Sequence, residues 1–147
     1  MAYFIFEKNL NNIEGTLYRI AENQSDLDNL NIIKSDYYII NDSSNFENVK
    51  LNLKSTLKYV DNTIIFNDIL PKFNNKTELQ NYVNFLKTSI AVFTGINLNH
   101  PLYNRWKNYS DQLNNLNLDS ITYPLNKSLE QYLKDTGQPY FNILQLP

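Results

Sequence analysis

Residues 77–95 read TELQNYVNFLKTSIAVFTG, and in this stretch the spacing of the apolar residues departs from that of the preceding chain. The apolar residues recur at intervals of three or four, which places them on one face of an α-helix. They are Leu79, Val83, Leu86, Ile90 and Phe93. Residues 77–80 have the pattern of a capping box that starts a helix, and Gly95 is a residue type that often ends one. The stretch therefore predicts a helix that begins near Thr77 and ends near Gly95.

Before this helix, short β-prone segments alternate with turns. The predicted strands are residues 3–7, 16–22, 36–42, 56–60 and 63–67. The last two are joined at Asp61–Asn62, a pair that tolerates the positive φ of a tight hairpin turn. Residues 44–53 predict a helix opened by Ser44, with Phe46, Val49 and Leu53 on one face. We therefore predict an α+β fold, in which residues 1–72 form a short-stranded α+β part or β-meander.

After the first helix, two further apolar stripes predict two more helices. Pro101 favours a helix start, and the stripe that follows it recurs at spacings of four and three. Its members are Leu102, Trp106, Tyr109, Leu113 and Leu116. Because Trp106 is the only tryptophan and stands at the centre of the stripe, we expect this stripe to be a main packing surface. His100, the only histidine, precedes Pro101 and is predicted to act at the helix entry.

The third helix is predicted to open at Pro124 and to end at Gly137, with Pro139 beyond it. Its stripe comprises Leu125, Leu129, Tyr132 and Leu133. Glu130 lies four residues before Lys134, which predicts a favourable surface pair. Residues 73–147 are therefore expected to form a helical part of three helices followed by an extended tail.

The last eight residues, YFNILQLP, are apolar almost to the end of the sequence. The apolar members of this tail are Tyr140, Phe141, Ile143, Leu144 and Leu146. Left in water they would form an exposed apolar patch, so the tail is expected to dock. It docks either in a groove on its own domain or on a neighbouring subunit, and the sequence leaves both open. We predict that these residues, together with Leu102, Trp106, Tyr109 and Leu113, form the interaction surfaces.

Composition argues against several functions. The chain has 147 residues, a formal net charge of −2 and a pI near 5.3, which is a poor match for nucleic acid. It has no cysteine, one histidine and 3 glycines, so thiolate chemistry, a site with two histidines and glycine-rich phosphate loops are excluded. We predict no enzymatic activity, no cofactor and no bound metal. We also expect neither a signal peptide nor a membrane span, and synthesis in a cytoplasm.

Two phrases of the sequence resemble a known family. They are GTLYRIAENQSDLDNLNI (residues 15–32) and LNNLNLDSITYPLNKSLEQYLKDTGQP (residues 113–139). The sequence resembles a family of small uncharacterised proteins from tailed phages of marine bacteria, of the cyanophage and SAR11-phage type. The resemblance spans most of the chain, contains no catalytic motif and assigns no residue a role.

The resemblance implies a component of the phage particle, made in the host cytoplasm. Such a protein would be a head decoration, neck, or tail and fibre-attachment subunit that acts through protein–protein packing. Its expected partners are other phage structural proteins and further copies of itself. The alternative is a soluble assembly factor, such as a tail-fibre chaperone, that leaves before the particle is complete.

Overall fold

The computed structural model describes residues 1–11, 13–52, 56–67 and 72–147. One antiparallel sheet occupies the N-terminal half, with its five described strands in the order β3-β1-β2-β4-β5. The strands are β1 (Tyr3–Lys8), β2 (Glu14–Ala21), β3 (Tyr37–Asn41), β4 (Thr56–Val60) and β5 (Thr63–Asn67). Three α-helices follow in the C-terminal half. The predicted α+β fold, a short-stranded sheet part followed by a three-helix part, is confirmed.

Two short helices lie between the strands, α1 (Gln24–Asp28) and α2 (Ser43–Leu51). The prediction that Ser44 opens α2 is wrong, because Asp42 caps it. Its carboxylate accepts hydrogen bonds from the backbone amides of Ser44 (3.0 Å) and Asn45 (3.4 Å). Phe46 and Val49 are buried as expected, whereas Leu53 lies outside the described residues.

The hairpin turn between β4 and β5 has the predicted conformation. Asp61 and Asn62 have φ of 50° and 62°, which is the left-handed backbone that a tight turn between antiparallel strands requires.

The three predicted C-terminal helices are present, but their first and last residues differ from the predicted ones. The helices are α3 (Lys76–Ile96), α4 (Tyr103–Asn114) and α5 (Leu129–Asp135). Asn75, not Thr77, caps α3, because its side-chain oxygen accepts from the backbone amide of Glu78 at 3.0 Å. Gly95 lies inside α3, which runs one residue further.

Pro124 does not open α5. Its peptide bond with Tyr123 is cis, and the next residue, Leu125, exchanges two backbone hydrogen bonds of 2.8 Å with Phe73. A backbone held in this β-bridge cannot also be helical, so α5 begins only at Leu129, four residues after Leu125. Ser128 caps it by accepting from the backbone amide of Gln131 at 2.9 Å. The helix ends at Asp135, and Gly137, two residues beyond it, has the left-handed φ of 71° expected of the glycine that stops a helix.

The apolar side chains form two large cores. The sheet core lies between the sheet and α2, and its fully buried members include Phe4, Phe6 and Val49. The helical core is built by the inner faces of α3, α4 and α5 around Trp106, which is fully buried. The C-terminal tail contributes to both cores, since Phe141 and Leu146 pack in the helical core and Leu144 packs against the sheet core.

Candidate functional site

The C-terminal tail leaves α5 at Gly137 and crosses to the sheet. It is extended only as far as Asn142, because residues 143–145 form a short 3₁₀ turn. Asn142 and Gln145 fix this turn from both ends. The Asn142 side chain accepts from the backbone amide of Leu144 (2.8 Å), and the Gln145 side chain accepts from that of Asn142 (3.1 Å). The expected extended tail is therefore corrected to an extended segment that ends in a turn.

Asn142 is fully buried and joins the tail to α2. Its Nδ2 donates to the backbone oxygens of Val49 (2.9 Å) and Lys50 (3.2 Å) in the last turn of that helix. The final carbonyl groups of a helix have no partner within the helix, so an external donor is needed where they are buried. The Asn142 amide thus caps a helix that lies about 90 residues earlier in the chain.

Glu22, which directly follows β2, connects the sheet, the helices and the tail. Its carboxylate accepts from Lys50 on α2 (2.9 Å), Arg105 on α4 (3.3 Å) and Gln145 in the tail (2.9 Å). Burial pulls the pKa of Glu22 upward, but the hydrogen bonds from Lys50 and Gln145 and the charges of Lys50 and Arg105 outweigh it. The pKa therefore lies below its usual value, and the carboxylate is ionised at neutral pH.

A cleft of about 850 Å³ opens beside this ion cluster, between the two halves of the chain. Its lining comprises Glu22, Lys50, Arg105, Asn108, Tyr109, Gln112, Pro139, Tyr140 and Phe141. The Lys50 ammonium lies 4.6 Å from the centre of the Tyr140 ring, and the Arg105 guanidinium 5.1 Å from that of Phe141. Both cations are thus stacked on aromatic rings and paired with Glu22, which is an arrangement that holds the tail in place.

Tyr140 closes one side of the cleft. Its hydroxyl donates to the carboxylate of Glu47 at 2.7 Å. Burial, followed by the hydrogen bond to the Glu47 carboxylate and its charge, raises the pKa of Tyr140 to about 12. The phenol is therefore neutral at physiological pH and acts as a hydrogen-bond donor.

The structure brings the predicted interaction residues together within one chain. Trp106, Tyr109, Leu113, Phe141 and Leu146 are buried, and Leu102, Tyr140, Ile143 and Leu144 are partly buried. The Tyr109 and Phe141 rings meet edge to face at 5.8 Å, which joins the α4 stripe to the tail. Of the two docking sites left open by the sequence, the tail occupies the groove on its own chain. A role of these residues in binding a partner stays a prediction.

His100 acts at the entry of α4, as predicted. Its Nδ1 accepts from the backbone amide of Leu102 at 3.1 Å, and its ring stacks on Trp106 at 4.7 Å. The histidine is thus part of the helix start and of the cover over the tryptophan.

Glu130 is a buried carboxylate that sequence reasoning misplaced. The predicted surface pair with Lys134 is wrong, because Glu130 is fully buried and its Oε1 accepts from the Tyr82 hydroxyl at 2.6 Å. Burial is the main reason that the pKa of Glu130 rises to about 7, although the hydrogen bond from Tyr82 opposes it. The available signal was its position three residues before Leu133, which places both on one helix face.

The outer face of α3 is an apolar surface that sequence reasoning did not identify. We define this outer face as Phe85, Thr88, Val92, Gly95 and Ile96. Phe85, Val92 and Ile96 are 52%, 54% and 75% exposed, and Leu98, just beyond the helix, is 64% exposed. The signal was their spacing of seven and four residues, which aligns them in a second stripe beside the buried one.

An uncharged stretch of the chain begins at Thr88 in this face, directly after Lys87. No Asp, Glu, Lys or Arg occurs anywhere in residues 88–104. Exposed helix faces are ordinarily charged or polar, and an apolar patch on a monomer commonly marks a contact site. Within the part of the chain that the structure describes, nothing packs over this stripe.

Among the described residues, no three His, Asp or Glu side chains lie close enough to hold a metal ion together. None of the helices in the described ranges is both long and apolar enough to cross a membrane. No protein-family model, curated protein sequence or solved structure matches this chain.

Proposed function

We propose that this chain is a structural subunit of a tailed-phage particle, such as a head decoration, neck, or tail and fibre-attachment protein. It acts by binding other proteins. The observation that carries the proposal is the outer face of α3, where Phe85, Val92 and Ile96 are exposed and where the 17 residues from Thr88 to Asn104 carry no charge. The resemblance to small proteins of marine tailed phages supplies the particle in which such a contact would be used.

The polar groups of the cleft favour a structural role over a chemical one. Glu22, Lys50 and Arg105 bind one another and the tail, so their charges are used to hold the two halves of the chain together. Tyr140 is held neutral and bonded to Glu47. Contacts of this kind between the two halves of the chain would stabilise a protein that serves as a rigid building block.

Mass spectrometry of purified particles tests the proposal, using a phage that encodes this chain and the same phage carrying Val92→Glu. A subunit is expected to give peptides in stoichiometric amounts, and Val92→Glu is expected to reduce them sharply. If the peptides are present in infected cells but absent from particles, the chain is an assembly factor, such as a tail-fibre chaperone. The matched control is Ile33→Glu, which places the same charge at an exposed apolar residue outside α3.

A further inference from the structure

We infer that the outer face of α3 binds the same face of a second copy of this chain, as an antiparallel pair related by a two-fold axis. The inference rests on the proposed function, because it names the partner of the surface through which that function acts. Two features of the face, its charge and its shape, favour a copy of itself over a different protein, and its area sets the strength of the pair.

Charge favours a copy because a two-fold contact places each group near its own equivalent. A charged face would therefore meet a like charge across the axis, at a cost of several kcal/mol for close pairs. The absence of Asp, Glu, Lys and Arg from residues 88–104 removes this repulsion from the last nine residues of α3, Thr88 to Ile96.

The shape of the face favours a copy because a large side chain, Phe85, and a residue without a side chain, Gly95, lie at equal distances on either side of its middle. Phe85 lies five residues before position 90 and Gly95 lies five residues after it. A Cβ atom built at Gly95 would meet nothing within 4 Å, so the helix surface there is open. In an antiparallel pair crossing at position 90, the Phe85 ring of each copy enters the gap at Gly95 of the other, and Val92 faces Thr88.

Area sets the strength of the pair. The open parts of Phe85, Val92 and Ile96 amount to roughly 300–400 Å² of apolar surface per copy, a size that the largest patch on a typical monomer also reaches and that is often functional. A standard interface buries about 800 Å² per partner, somewhat over half of it apolar. The pair is therefore smaller than a standard interface and lies at the weak end of specific interfaces.

Sedimentation velocity across about 1 to about 500 µM tests the inference, because this range covers the concentrations at which a weak pair is expected to form. The wild-type mass is expected to rise from 17.3 kDa toward twice that value. Val92→Glu and Ile96→Glu should each weaken dimerisation about tenfold or more, which is a loss of about 1.4 kcal/mol or more. Ile33→Glu, an exposed apolar residue elsewhere, should dimerise like the wild type.

Mixing two variants tests the two-fold geometry itself. In the antiparallel pair the two Val92 positions are separated by about 6 Å along the helix axis, from a rise of 1.5 Å per residue. Val92→Glu alone and Val92→Lys alone should each dimerise about tenfold or more weakly than the wild type, whereas an equimolar mixture should form heterodimers more readily than either variant pairs with itself. A mixture that remains monomeric at 500 µM while the wild type dimerises would overturn the proposed register.

The outcomes separate this inference from the proposed function. A wild-type chain that stays monomeric at every concentration, while Val92→Glu is lost from particles, overturns the second copy as partner and leaves the particle role standing. A wild-type chain that dimerises through α3 but is absent from particles supports the inference and overturns the particle role. Dimerisation that Val92→Glu and Ile96→Glu leave unchanged shows that another surface makes the dimer.

Discussion

The C-terminal tail and the outer face of α3 are both apolar, but the chain covers one and leaves the other open. In the tail, Phe141 and Leu146 are buried, and Asn142 and Gln145 bond the backbone and side chains around them. On α3, Phe85, Val92 and Ile96 have no such cover in the described structure. The difference teaches that polar groups, not apolar residues alone, distinguish an apolar segment that is packed into the fold from an apolar surface that stays exposed.

Deleting residues 140–147 should have the largest effect. The deletion removes two buried apolar side chains, worth about 2–5 kcal/mol each, and uncovers the carbonyl groups at the end of α2. Because a domain of this size has a total stability of about 5–15 kcal/mol, we expect a chain that is insoluble or lacks a cooperative unfolding transition. A truncated chain that melts like the wild type would show that the tail does not complete the core.

Asn142→Asp is the single-residue form of this test. It keeps the shape of the side chain but replaces a donor by a carboxylate facing two backbone oxygens, which should cost at least about 3 kcal/mol. Asn114→Asp, at an exposed position on α4, is the matched control and should be nearly neutral. Chemical denaturation measures both.

Trp106→Ala should destabilise the fold by about 3–5 kcal/mol, because the side chain is fully buried at the centre of the helical core. Phe85→Ala removes a comparable ring from the open side of α3 and should cost less than about 1 kcal/mol under conditions where the chain is monomeric. Thermal or urea unfolding of the dilute proteins measures the contrast. Equal losses for the two variants would show that the outer face is in fact part of the core.

The raised pKa of Glu130 predicts that the stability of the fold depends on pH. This effect comes from the inner side of the helices and not from the outer face of α3. Its pKa is about 7 in the fold and near 4.5 when exposed, so the folded chain binds more protons between these values. The contribution of Glu130 to the free energy of unfolding is therefore complete below about pH 4.5. It falls as the pH rises and levels off above pH 7. The shift corresponds to a loss on the order of 3 kcal/mol.

The matched variant for this effect is Glu130→Gln, which keeps an acceptor for Tyr82 without the charge. Urea unfolding at pH 5, 6, 7 and 8 should show a decline in the wild type that Glu130→Gln lacks. A wild-type profile that stays parallel to that of the variant would mean that the carboxylate is solvated.

Substitutions on the outer face should have the smallest effect on the fold. Val92→Glu and Ile96→Glu place charges on exposed positions, so monomer stability should change by no more than about 0.5 kcal/mol. Urea unfolding at low protein concentration measures this, and a loss above about 2 kcal/mol would contradict the open position of these residues.

The sequence alone allowed the element types to be predicted, because periodic apolar residues of the kind found at Leu79 and Trp106 follow directly from helix geometry. Helix starts were harder, since several residues near each start can cap it. Asn75 competes with Thr77, and Ser128 lies four residues after Pro124. The choice depends on which backbone amides each side chain can reach.

The buried polar residues depended on contacts between distant parts of the chain. Asn142 is buried because the end of α2 needs a donor, and that helix lies about 90 residues away in sequence. Glu130 is buried because Tyr82 on α3 meets it, 48 residues earlier. No local pattern identifies these distant partners, so the tail was correctly expected to dock, but the groups that it contacts were visible only in three dimensions. The spacing of Phe85, Val92 and Ile96 shows the second stripe on α3, but their exposure was visible only in the structure.

The central claim is that the tail is closed within one chain and that the outer face of α3 is open until a second copy covers it. The rate of thiol alkylation tests both parts, because the chain has no cysteine and a single one can be introduced by Leu146→Cys or Val92→Cys. We predict that the thiol of Leu146→Cys reacts slowly at every protein concentration. The thiol of Val92→Cys should react much faster than that of Leu146→Cys when the protein is dilute, and more slowly as the protein concentration rises. Fast alkylation of Leu146→Cys in the dilute folded protein, or a rate for Val92→Cys that does not depend on concentration, would contradict the account.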